Sequence, residues 1–389
     1  MPYPGDIGHP RTWMFMNSRI LLLGLAFLAD GEADETSSLE LRSRPVEGAL
    51  GTMPHNPWRP LGPEIVLAGN TFAVEVGADG ESARIDTDGD GRCERELDGH
   101  RSTVHLRAGS DAGAFEYWVR IERHGADWTW SPGALRTGSH EGVRIALYDL
   151  NGDGDFVDFG EDAVLVGSGG SALLSRVVSI HGDLMELELD ESASEARLRV
   201  YQGPRAWLDV RSAYISNGVL THAVFKSETD HSFDLASSPG GLEIPAGVYR
   251  LVSGRVESSN ETAVIGPGRM NAINLGPGES HQIEWGGPIH ARFKMRRCSK
   301  AVTILPNVRY FGQAGEEVVS FQPTSKPPRI EVLDVETGKL IEYGHLGGRC
   351  GGGLSACRLQ IPKSRRVEVR LEHEREIFCL LYTSDAADE

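Results

Sequence analysis

Runs in which apolar and polar residues alternate recur along most of the chain. In AFEYWVRIER, Phe115, Tyr117, Val119 and Ile121 fall on one face, while Glu116, Arg120 and Glu122 fall on the other. A period of two marks a strand with one buried face. Val143, Ile145 and Leu147 repeat the pattern, as do Ala196, Leu198 and Val200, and Val367, Val369 and Leu371. Turn residues separate the runs: Ser238-Pro239-Gly240-Gly241, Gly266-Pro267-Gly268, Gly276-Pro277-Gly278 and Thr337-Gly338. Long helical periodicity is absent. The expected fold is all-β, two or three β-sandwich domains.

Both ends stand outside that pattern. The segment MNSRILLLGLAFLADGEADE, from Met16, has Arg19, an apolar run from Ile20 to Ala29, and small residues at Gly31 and Ala33. This is a secretory signal peptide pattern with cleavage after Ala33. The apolar run is about half of what a spanning helix needs, so no membrane span is expected. At the other end, CLLYTSDAADE resembles the translation of a transposase adapter used in preparing sequencing libraries. Residues 379–389 are therefore expected to be read-through, with the natural chain continuing beyond Phe378. The resulting division is a leader and signal peptide over 1–33, a linker over 34–60, an N-terminal β-sandwich over 61–235, a small β domain over 236–287 and a last β-sandwich over 288–378. The joints are ASSPGG, from Ala236 to Gly241, and Trp285 to Pro288.

Two stretches break the strand pattern with acids and glycines: IDTDGDGRCERELDG from Ile85, and YDLNGDGDFVDFGEDA from Tyr148. They share the core D-x-D/N-G-D-G, and both cores resemble the calcium loop of EF-hand and thrombospondin type 3 repeats. Calcium takes six to eight hard oxygens, and acids at alternate positions with a glycine at the sixth wrap the chain tightly enough to supply them. The resemblance implies Asp149, Asn151 and Asp153 as side-chain ligands, Gly154 as the turn and the Asp155 carbonyl as a further ligand. Upstream it implies Asp86, Asp88 and Asp90, with Gly91 as the turn and Arg92 at the carbonyl position. The closing Glu of the EF-hand is missing, since the twelfth positions are Leu97 and Gly160. Closure then falls to another acid: Asp158 or Asp162 downstream, Glu94 or Asp98 upstream. Asp, Asn and Gly favour turns without any metal. Three carboxylates crowded together, however, repel one another unless a cation intervenes. Ca2+ is the expected ion.

Two further stretches carry resemblances. LEIPAGVYRLVSG is similar to the Pro-Ala-Gly-x-Tyr strand of carboxypeptidase regulatory-like sandwiches, and KPPRIEVLDVETGKLIEYG resembles a hairpin of an immunoglobulin-like or fibronectin type III-like module. Together the motifs suggest a secreted bacterial β-sandwich protein.

With 56 Asp+Glu against 39 Lys+Arg and a formal charge of −17, nucleic acid is excluded as a partner. Export makes disulfides admissible. Cys350 and Cys357 bracket the loop CGGGLSAC, and Cys93 with Cys298 is the remaining pair. No H-E-x-x-H, G-x-S-x-G or Walker sequence occurs, GSGGS from Gly167 reads as a turn, and no catalytic role is expected. His222 and His231 read as surface or core residues rather than metal ligands. Trp128, Trp130 and Tyr117 read as core packing ahead of a sugar platform. The expected function is a calcium-binding structural, adhesive or binding role outside the cell, toward an extracellular or cell-surface protein or polysaccharide. The alternative is the non-catalytic, carbohydrate-binding portion of a truncated extracellular hydrolase.

Overall fold

Alternation along the chain becomes buried faces in space. Tyr117, Val119 and Ile121 are at most 1% exposed on the strand Phe115–His124. Glu122, expected at the surface, is instead only 7% exposed, because Arg101 and Arg120 pair with its carboxylate. This computed structural model describes residues 36–46, 53–55, 57–97, 100–109, 115–298, 300–323, 328–346, 356–361, 366–372, 377–378 and 380–381. The leader, Asp98 and Cys350 lie outside them.

The chain is all-β. In the first half, one sheet orders the strands Arg59–Pro60, Asp127–Pro132, Phe115–His124 and Arg101–Ala108. A second orders Ser171–Leu173, Ala163–Val166, Val143–Tyr148, Ala134–His140 and Arg42–Pro45. Between their inner faces lies a core that includes Tyr117, Ile145, Leu147, Trp128 and Trp130. The tryptophans are thus packing residues. Val143–Tyr148 has apolar groups on both faces, since Ala146 and Tyr148 belong to a separate cluster with Leu135 and Leu173. A strand so buried reads as a continuous apolar run near its end, as ALY does here.

In the second half, one broad sheet runs in the order Ser232–Asp234, Val219–Ser227, Gly247–Glu257, Thr262–Gly266, Glu317–Gln322, Arg309–Phe311, Ile289–Arg292 and Leu380–Leu381. Its strands come from both sides of the joints expected at 236–241 and 285–288. Residues 380–381 of the adapter-like tail pair in parallel with Ile289–His290. The hairpin expected from Lys326 forms, with Arg329–Asp334 against Leu340–His345 and Asp334 accepting from the Glu336 and Thr337 amides. Val200 departs from its pattern and stands 44% exposed at the end of its strand.

The cysteine pairing of Cys93 with Cys298 is not made: both are free thiols, Cys93 buried and Cys298 exposed. Cys357 is also a free, buried thiol. No helix among the described residues is long and apolar enough to cross a membrane, which says nothing of a β-barrel.

Candidate metal centres

Both acidic stretches connect the strands of antiparallel hairpins. The upstream loop, residues 86–94, joins Ala83–Ile85 to Arg95–Glu96, with Ile85 opposite Arg95. The downstream loop, residues 149–162, joins Val143–Tyr148 to Ala163–Val166, with Tyr148 opposite Ala163. An acid at each loop's first position leaves the sheet directly and is fully buried: Asp86 and Asp149 are both 0% exposed.

The two loops share a hydrogen-bond pattern residue by residue. Asp86 accepts from the Gly89 amide on Oδ1 (2.7 Å) and the Gly91 amide on Oδ2 (2.8 Å). Asp149 accepts from Gly152 on Oδ1 and from Gly154 on Oδ2, the latter at 2.8 Å. At the third position, Asp88 accepts from the Asp90 amide and Asn151 from the Asp153 amide, each at 3.1 Å. At the fifth, Asp90 accepts from the Arg92 amide and Asp153 from the Asp155 amide.

The same correspondence extends to the last acid of each loop. The Thr87 amide donates to Glu94 Oε1 at 2.8 Å, and the Leu150 amide donates to Asp162 Oδ1 at 3.0 Å. Thr87 and Leu150 each hold the second position, and Glu94 and Asp162 are each the last residue before the returning strand. Glu94 is therefore the upstream counterpart of Asp162. The core motif could not reveal this, because the two acids follow it at different separations.

Upstream, carboxylate oxygens of Asp86, Asp88 and Glu94 lie within 4.8 Å of one another. Asp90 and Arg92 are outside this group. Downstream, Asp153, Asp155 and Asp158 form a group, again within 4.8 Å, but at loop positions other than those of the upstream group. Asn151 joins it through its amide nitrogen, 2.7 Å from Asp158 Oδ2 and 3.3 Å from Asp153 Oδ2. Asp149 and Asp162 lie beneath. Their oxygens are engaged inward, Asp149 Oδ2 by the Tyr117 hydroxyl at 2.6 Å and Asp162 Oδ2 by the Asp158 amide at 3.2 Å.

Burial sets the electrostatics of the downstream loop. It pushes the Asp149 carboxyl up to about 6, against the opposing pull of the Tyr117, Gly154 and Gly152 donors. It pushes Asp162 up to about 8, and the neighbouring Asp149 charge adds to the rise. Asp158 is raised too, first by burial. Tyr117 is held far above its ordinary value by burial and by Asp149, so it stays a neutral donor. Such shifts mark carboxyls whose charged form burial disfavours in the absence of a neutralising cation. A neighbouring cation, Arg59, points elsewhere: its guanidinium donates to the Leu150 and Asn151 carbonyls and lies 5.3 Å from the centre of the Trp130 ring.

The pair His222 and Asp234 is a core feature. His222 is 1% exposed, with Nδ1 2.9 Å from Asp234 Oδ2, and Asp234 also accepts from the Ala223 and Ala236 amides. His231 lies nearby in a different setting, its Nδ1 3.2 Å from Thr229 Oγ1. No known family, curated protein or solved structure matches the chain.

Proposed function

We propose that the chain is a secreted, calcium-stabilised β-protein with a structural, adhesive or extracellular binding role. The observation that carries the calcium part is the repetition of one core of hydrogen bonds in two hairpins, each of which also gathers three carboxylates, at different positions of the loop. Asx turns alone would not demand the same closing contact between the second position and the last. The donor set is all oxygen, which suits calcium over softer metals. Asp86, Asp88 and Glu94 would hold one ion; Asp153, Asp155 and Asp158 would hold the other. Backbone carbonyls and water would complete six to eight ligands. The ion would supply positive charge where two hairpins otherwise crowd carboxylates together, and so fix the loops. Secretion rests on the leader sequence.

Metal analysis of the secreted protein tests the reading. One calcium per loop is expected, so native mass spectrometry should find two per chain, on a product that begins at or near Asp34. A metal-free product, or one that keeps Met16, contradicts it.

A further inference from the structure

Away from both loops, the outer face of the sheet that ends in the strand Arg42–Pro45 forms a groove of about 930 Å³. In a chain of net charge −17 its rims are basic: Arg42, Arg44 and Arg144 all line it and all are exposed. Among the described residues Glu40 is the one acid in the lining, and it is already paired with Arg42 at 3.0 Å. Arg144 is steadied by its Nε, 3.1 Å from Thr137 Oγ1. Among the described residues, Arg44 has no acidic partner. Leu135 and Ala146 make an apolar floor, the open end of the buried cluster that also holds Tyr148.

Pairing fixes the spacing of the cations. Arg42 lies opposite Thr137, and Thr137 lies opposite Ala146, two residues beyond Arg144. Strands are about 4.8 Å apart and alternate residues about 7 Å apart, so Arg42 and Arg44 are separated by about 7 Å and Arg144 by on the order of 10 Å more. One small anion cannot reach all three. A linear polymer with regularly spaced negative groups can, with hydroxyls toward Thr137 and Ser139 and C–H faces on the apolar floor. Guanidinium pairs bidentately with carboxylate or sulfate. Among the described residues the groove's lining has no aromatic ring, which disfavours stacking of a neutral sugar or a nucleobase.

We propose that this groove binds an acidic polysaccharide, a chain of uronic or sulfated sugars. The proposal narrows the partner class of the function proposed above, but it does not depend on the calcium ions. The test is calorimetric titration with oligogalacturonate and a heparin oligosaccharide, against neutral cello-oligosaccharide and poly-glutamate, each with calcium and again with chelator. Sub-millimolar binding of an acidic oligosaccharide is expected, unchanged by chelator and weakened by salt, because exposed charges are screened over about 8 to 10 Å. Arg44→Ala and Arg144→Ala should each weaken it about five- to tenfold at an unchanged melting temperature, as partly exposed charge-assisted bonds do. Equal binding of poly-glutamate overturns the carbohydrate class, and binding lost in chelator assigns the ligand to the acidic loops instead. No binding, or binding indifferent to both arginine changes, overturns the site.

Discussion

The two acidic loops share the hydrogen bonds of their core and stand in different situations. The upstream loop is held by neighbouring strands: Asp86 donates its amide to the Ala73 carbonyl of its own sheet, and the Arg107 amide, from the sheet of Phe115–His124, donates to the Thr87 carbonyl. Nothing lies within 4 Å of where a Cβ on Gly91 would sit. The downstream loop is a junction. The Ala68 amide donates to the Asp153 carbonyl, Arg59 holds Leu150 and Asn151, and Lys226 from the second half reaches the Gly160 carbonyl at 3.2 Å. Tyr117 seals it from below. The same motif can therefore serve as a local clip or as a joint between distant segments, and what decides is burial around the motif.

Glycine substitution should separate the two most widely. Gly91 and Gly154 are equivalent turn residues at φ +86 and +97. A Cβ at Gly154 would stand 2.8 Å from the Ala68 nitrogen and 3.0 Å from the Leu67 carbonyl carbon, which are backbone atoms with little room to yield. Gly154→Ala is expected to cost about 3 to 4 kcal/mol. Gly91→Ala should cost about 1 to 2 kcal/mol, the conformational penalty alone. Urea denaturation of both variants in chelator measures this; equal losses would remove the distinction.

The next effect is one of pH. Asp149 and Asp162 have folded values raised to about 6 and about 8 from an ordinary 3.8. The folded state thus holds their protons more tightly than the unfolded chain does. In chelator, the stability these two carboxyls contribute should be full below about pH 4 and be lost as pH rises through 6 to 8. Calcium should flatten or reverse that slope by binding the ionised form. Asp162→Asn, which keeps an oxygen for the Leu150 amide, should flatten it without metal. Stability in chelator that rises over this range would contradict the assignment.

Tyr117→Phe removes the hydroxyl on Asp149 and should cost about 1 to 2 kcal/mol, with Asp149 left on its two glycine amides. A smaller effect comes from Asp190, which lies in neither loop but accepts from Ser192, Ser194 and the Glu195 amide. Asp190→Ala should lower the melt by about 1 kcal/mol and leave the calcium response whole. A response lost with Asp190 would mean that the loops are not where calcium acts.

Strand positions and both loops were legible in the sequence because they rest on local rules. Alternation exposed the faces of Phe115–His124, and acids at alternate positions with glycine exposed the loops. What was hidden depends on contacts between distant residues. Glu94 and Asp162 share a role that only the returning strand makes evident. Tyr117 is one more apolar position by its spacing, and its hydroxyl acquires a purpose only when Asp149 is folded beneath the loop. Cys93 and Cys298 read as a pair by elimination alone, and in the fold both are free thiols, one buried and one exposed.

The most direct test is a thermal melt of the wild type, Asp153→Ala and Asp88→Ala, each in millimolar calcium and in chelator. Native-state binding stabilises by about 2.7 kcal/mol at a hundredfold excess over Kd, or about 5 °C for a body of this size. Chelator should lower the wild-type melt by at least that much. Asp153→Ala should abolish the larger part of the response, since it empties the junction, and Asp88→Ala the smaller. A wild-type melt indifferent to calcium and chelator, with no bound metal by mass spectrometry, would contradict the account.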